Sequence, residues 1–166
     1  MKDAVMSIVA DDQLATWLVS GTIAGINSKE EEERVIRESL TNYCPGVEAH
    51  VTEIYSPPRV TTMAERFKLI PGLALDLTTL DPDDQLPWDF DNPAKREKAK
   101  KLVHTRRSLL VIGSPMCSAF SQLQQLNFPR MSKQEIERMI SYGRKHLEFC
   151  IELYRIQIKN GLYFLH

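Results

Sequence analysis

The chain's three thiols, Cys44, Cys117 and Cys150, are its most reactive side chains. They are odd in number and far apart, and no CxxC pair exists, so neither a zinc knuckle nor a redox dithiol is indicated. Cys117 is the thiol placed for chemistry. It follows a buried-looking strand, Ser108 to Ile112, that ends at Gly113-Ser114-Pro115, and a turn there leaves the sulfur reachable. Backbone N–H groups at the start of a following helix would favour the thiolate, the nucleophilic form. Cys150 falls on the apolar stripe of a long helix and Cys44 at a helix end, so both read as structural. Without further context, a lone cysteine after a strand is more often packing than chemistry.

The elements that position Cys117 follow from punctuation and periodicity. Residues 1–27 read as helical with weak punctuation. Ser28 with Glu31 makes a capping box, Glu30 to Glu33 place negative charge on the first turn, and Val35, Ile36, Leu40 and Tyr43 form an apolar stripe that stops at Cys44-Pro45-Gly46. His50 to Tyr55 reads as a strand, Thr61 to Phe67 as a helix, Pro71-Gly72 as a turn and Leu73 to Leu77 as a short strand. Residues 81–91 read as a loop in which Trp88 and Phe90 anchor to the core. Asn92 caps a helix with Pro93 in its first turn, running to about His104. Leu123 and Leu126 fall on a short helix. Ser132 and Glu135 open the longest helix with a capping box, and Ile136, Met139, Ile140, Gly143, Leu147, Cys150, Ile151, Tyr154 and Ile158 recur along it at spacings of three and four. Asn160-Gly161 ends it, and Leu162 to Leu165 is a final strand. This order predicts an α/β, Rossmann-like domain over 49–166, with a mostly parallel sheet and flanking helices, preceded by a helical N-terminal region over 1–48. In such sheets ligands bind at the carboxyl ends of strands. The candidate edge is therefore Tyr55 to Arg59, Asp76 to Thr79, Gly113 to Cys117 and His166.

The segment Leu110-Val111-Ile112-Gly113-Ser114-Pro115-Met116-Cys117-Ser118-Ala119-Phe120-Ser121 resembles the nucleophile motif of cytosine-5 DNA methyltransferases, in which a strand leads into Gly-Gly-Pro-Pro-Cys-Gln, one variable residue and Phe-Ser. Gly113, Pro115, Cys117, Phe120 and Ser121 match; Ser114, Met116 and Ser118 depart. Glu53-Ile54-Tyr55-Ser56 is similar to the opening of that family's cofactor strand, although Pro57-Pro58-Arg59 stands where the family has Gly-x-Gly. The likeness extends over about residues 51–166. It implies S-adenosylmethionine as cofactor, held near Tyr55, Ser56, Asp76 and Gly113, and a catalytic set of Cys117, Pro115 and Ser121. Cys117 would attack carbon 6 of a flipped-out cytosine, and Pro115 would stiffen its loop. The family's glutamate after the last strand would fall beyond His166, so the expectation is an incomplete domain, a fragment of something longer. A weaker likeness, carried by Ser56-Pro57-Pro58-Arg59-Val60, Ala74 to Thr79, Trp88-Asp89-Phe90 and Gly113 to Cys117, is to a module of retroelement-type polyproteins. It implies the alternative function: a non-catalytic nucleic-acid-binding or structural module.

Composition bounds these readings. The 166 residues are 43% hydrophobic and 26% charged with net charge −1, which suits a folded domain and excludes a globally basic nucleic-acid binder. A local basic segment remains: Lys95, Arg96, Lys98, Lys100, Lys101, Arg106 and Arg107 are seven of 21 Lys and Arg residues. Lys95, Lys98 and Lys101 of this segment, together with Arg59 after Pro57-Pro58, are the candidate contacts to DNA or RNA, set against a solvated helix offset by neighbouring aspartates. Asp81, Asp83, Asp84 and Asp89 lack the glycine and terminal glutamate of a calcium loop, so no metal is expected. No signal peptide or bilayer-length apolar run is visible, the longest being Trp17 to Ile26. The chain is expected to be intracellular and soluble, and nuclear if it acts on DNA in a eukaryote.

Overall fold

The structure, a computed structural model, describes residues 28–166, apart from the side chains of Thr41 and Tyr43. The expected helical character of residues 1–27 and the run Trp17 to Ile26 lie outside them. The compact body is Ile36–His166, and Met1–Val35 forms a separate unit. Helix α1, Lys29–Tyr43, crosses that boundary. The Ser28 hydroxyl accepts the Glu31 N–H at 3.2 Å, one of the two bonds of the expected capping box. Leu40, near the end of α1, packs with Val47 and Leu162, so this part of the helix belongs to the body.

Four strands follow: β1 (Ala49–Ile54), β2 (Pro71–Leu75), β3 (Ser108–Gly113) and β4 (Tyr163–Leu165). All pairings are parallel, in the order β2-β1-β3-β4. Between β1 and β2 run α2 (Val60–Ala64) and one 3-10 turn; α3 (Pro93–Thr105) precedes β3; α4 (Gln122–Gln125) and α5 (Lys133–Lys159) precede β4. The α/β, Rossmann-like expectation holds.

Successive strand residues face opposite sides. Ile54 and Val111 join Ala99 and Val103 of α3, Phe149 and Leu153 of α5, and the loop residues Trp88 and Phe90 in one core. Glu53 points the other way, to α2. The anchoring of Trp88 and Phe90 is as predicted, as are the Asn92 cap on Ala94 and the reciprocal Ser132–Glu135 capping box. Gly161, with φ +69°, follows α5 in the left-handed region that glycine tolerates.

Two expectations are corrected. Pro71 and Gly72 are not a turn; they open β2, two residues earlier than the predicted strand. Proline is tolerated there because β2 is an edge strand and Pro71 its first residue. A side chain at Gly72 would meet Val51 O at 2.6 Å, where the β1–β2 register shifts. The buried side of α5 is also rotated from the predicted stripe. Ile151 and Ile158 are exposed, whereas His146, Phe149, Leu153 and Gln157 are buried. Gln157 is held there by donating to Ser108 O and Tyr163 O, each at 2.9 Å.

Candidate functional site

Strand order reverses on either side of β1, so the sheet has its topological switch point between β1 and β3. Parallel sheets bind ligands in the crevice outside the carboxyl ends at such a point. The Ser114 N–H donates to Ile54 O at 2.9 Å, which ties the turn after β3 to the end of β1. The Tyr55–Arg59 and Ser114–Cys117 segments are thereby neighbours.

The turn after β1 is organised by its own strand. Glu53 is buried, and its Oε2 accepts the Thr61 N–H at 2.7 Å and the Thr61 hydroxyl at 2.8 Å. The Ser56 hydroxyl donates to Oε1 at 3.1 Å. Burial acts to raise the Glu53 pKa, but the bonds from Thr61, the Val60 N–H and Ser56 outweigh it and hold the carboxyl below its ordinary value. Glu53 therefore stays ionised and supplies the donors' partner where Pro57 and Pro58 have no N–H to give.

Tyr55 has a left-handed φ of +62°, uncommon for a bulky residue. This turns its ring inward. The hydroxyl hydrogen-bonds His146 Nδ1 at 2.7 Å, and the ring packs edge-on against Phe90. Burial first, then Cys150 nearby, pushes the phenol pKa well above its ordinary value. Tyr55 thus offers a ligand its backbone, not its side chain. One register position across on β2, Asp76 follows Leu75, the partner of Ile54. Its Oδ1 accepts the Thr78 N–H at 2.9 Å and the Thr78 hydroxyl at 2.8 Å.

Gly113 was expected beside the cofactor, but its bare side is occupied by this chain. An added Cβ would lie 2.1 Å from the Tyr154 hydroxyl and 3.1 Å from Cys150 Sγ. Cys150 is buried there, and burial pushes its thiol up to about 12 despite an opposing bond from Tyr154, so it is inert as a nucleophile at neutral pH. Cys117, by contrast, is exposed. It begins the 3-10 turn Ser118–Phe120, and Ser121 caps α4 by accepting the Gln124 N–H at 3.1 Å. Pro115 is half-buried between Ser114 and Met116.

The basic segment is where the structure departs most from the nucleic-acid expectation. Lys95 is only 4% exposed and donates to Asp81 and Asp84 at 2.7 Å. Lys98 bridges Asp81 and Asp83. Lys95 and Lys98 also lie over the Trp88 ring, 5.0 and 5.5 Å from its centroid. Asp81 is 0% exposed; burial acts to raise its pKa, but the two lysines and the Asp83 N–H lower it to about 2. The acidic loop is therefore an ion-paired clasp on α3. The ammonium groups of Lys95 and Lys98, the expected phosphate contacts, already face carboxylates of that clasp. Lys100 pairs with Glu97 and Glu152. Arg59 and Lys101 are exposed.

Sequence reasoning missed the Tyr55–His146–Asp91 chain, in which His146 Nε2 lies 3.4 Å from Asp91 Oδ1. The sequence carries no local signal of it, because His146 lies off the predicted apolar stripe of α5. Among the described residues no helix is long and apolar enough to cross a membrane. In comparisons with known proteins, no family model, curated protein or solved structure matches the chain.

Proposed function

We propose that the chain is a methyltransferase-like domain acting on nucleic acid, with Cys117 as its thiol nucleophile and S-adenosylmethionine as its cofactor. One observation carries the reading. An exposed cysteine follows β3 at the switch point, and the adjacent strand ends bear two carboxylates, Glu53 and Asp76. The charge selects among nucleotide-like ligands. The Asp76 carboxylate disfavours a phosphate beside it, whereas S-adenosylmethionine has no phosphate and is cationic at its sulfonium and ammonium groups. Asp76 provides an acceptor for a ribose diol, the role of the acid in this type of fold. That acceptor supports the adenosyl cofactor, which when bound would supply an electrophilic methyl group.

The remaining steps belong to this chain's own residues. The Cys117 thiolate adds to carbon 6 of a cytosine extruded from its stack, which makes carbon 5 nucleophilic. With the cofactor bound, carbon 5 would take its methyl group as the S–CH3 bond breaks, and loss of the carbon 5 proton to solvent would then expel the Cys117 thiolate. Pro115 fixes one backbone torsion of the loop, and Ser121 holds the start of α4 behind it. Arg59 and Lys101 serve as phosphate contacts, with Lys95 and Lys98 taking no part. In a eukaryotic host, action on DNA places the chain in the nucleus.

A second reading, a non-catalytic module of a larger mobile-element-type polyprotein, is favoured by one feature: Pro57, Pro58 and Tyr154 remove donors and space from the β1/β3 crevice. Titration calorimetry with S-adenosylmethionine separates the two. The first reading expects binding that weakens about tenfold in Asp76→Asn, the scale of a hydrogen bond to a charged group. No heat from the wild-type chain removes the cofactor and leaves the second reading.

A further inference from the structure

Helix α5 spans 27 residues and carries a glycine, Gly143, in its interior. Interior glycine weakens a helix relative to alanine. The reason for it lies across the interface. An added Cβ would stand 2.8 Å from the Ala119 Cβ, and 3.1 and 3.3 Å from Cε2 and Cζ of Phe120. Both neighbours belong to the turn that Cys117 begins, and the Phe120 N–H donates to Cys117 O at 3.0 Å. Ala119 is 6% exposed, while Cys117 and Met116 before it are exposed. The turn is thus pressed onto α5 at Ala119, and the thiol projects from the side that is not pressed.

We infer that Gly143 is a positioning residue for Cys117: the missing side chain on α5 is the seat that fixes where the thiol stands relative to the ends of β1 and β2. The inference rests on the methyltransferase-like reading only for what that position is for. Two separate observations support the seat itself: the contact below van der Waals distance that any side chain at 143 would make, and the direct bond from the seated turn to the Cys117 carbonyl.

The test uses Gly143→Ala, the compensating pair Gly143→Ala with Ala119→Gly, and Ala119→Val, which crowds the same contact from the turn and leaves the helix sequence intact. Three quantities are read on the full chain: thermal midpoint, the rate of Cys117 alkylation by iodoacetamide against Cys44 as internal reference, and covalent capture by an oligonucleotide containing 5-fluorocytosine. Gly143→Ala and Ala119→Val are expected to alter the alkylation rate about threefold and to cut capture about tenfold or more, because small misplacements of a reacting group are costly. The compensating pair is expected to return both toward wild type. Should Gly143→Ala fail to fold, Ala119→Val and the compensating pair carry the test. Wild-type alkylation and capture in the crowded variants overturn the inference, as does a compensating pair no better than Gly143→Ala. If the wild-type chain is not captured at all, the methyltransferase reading fails separately, and alkylation alone decides the seat.

Discussion

Replacing Asp81 by asparagine removes one charge from the clasp and preserves shape and one acceptor for the Asp83 N–H. Lys95 is then left nearly buried with Asp84 alone, whose side chain is 45% exposed. Breaking a buried ion pair by removing one partner costs about 3–5 kcal/mol. Exposed pairs contribute roughly 0–1 kcal/mol, so Asp84 compensates only in part. The expected loss is therefore about 3 kcal/mol, toward the low end because Asp84 remains. For a body of this size that lowers the thermal midpoint by about 10 °C. Lys95→Met should be destabilising too, but the double variant should cost clearly less than the sum, since no charge is left stranded. Urea denaturation of all three chains supplies the free energies. The same carboxyl sets a pH dependence. Its folded pKa, about 2, is below its ordinary 3.8, so its contribution is full above about pH 4 and disappears as pH falls toward 2. An Asp81→Asn chain within about 1 kcal/mol of wild type would refute the clasp as a stabilising element.

Tyr55→Phe removes the half-buried bond to His146 and should destabilise by about 1 kcal/mol in the same denaturation assay. Burial lowers the His146 pKa, against a raising effect from Asp91. Its contribution is thus present above the ordinary histidine pKa and is lost as pH falls below about 6.5; a urea midpoint that is flat in this range in His146→Gln but not in wild type would show it. Gly72→Ala forces a Cβ to within 2.6 Å of the Val51 carbonyl and 2.3 Å of the Thr52 hydroxyl, so it should destabilise by about 2 kcal/mol or more. Amide exchange should be fastest where β2 leaves β1, and a wild-type midpoint would contradict the close packing.

Much of the fold is legible in the sequence because its signals are local. Capping at Ser28, Asn92 and Ser132 and the alternation of strands with helices depend on near neighbours, and each reappears in the structure. What was hidden depends on partners distant in the chain. Nothing near Lys95 or Lys98 says that their charges are met by Asp81, Asp83 and Asp84 across a loop. His146 and Gln157 look like surface residues until Tyr55 is seen to bond His146 Nδ1, and Ser108 and Tyr163 to accept from Gln157 Nε2, and without these two the buried stripe of α5 cannot be phased. Gly113 matches a motif, but its immediate reason here is the Tyr154 ring. Cys117 was legible because its position follows from one strand and one turn. The close approach of its turn to α5, where Ala119 and Phe120 meet Gly143, was not.

Mass spectrometry of the chain incubated with S-adenosylmethionine and a duplex containing 5-fluorocytosine tests the central claim most directly. Fluorine at carbon 5 blocks the proton loss that would release the thiolate, so the account predicts a stable adduct on the peptide containing Cys117 and none with Cys117→Ala. A wild-type chain without adduct, or a Cys117→Ala chain that still forms it, would contradict the account.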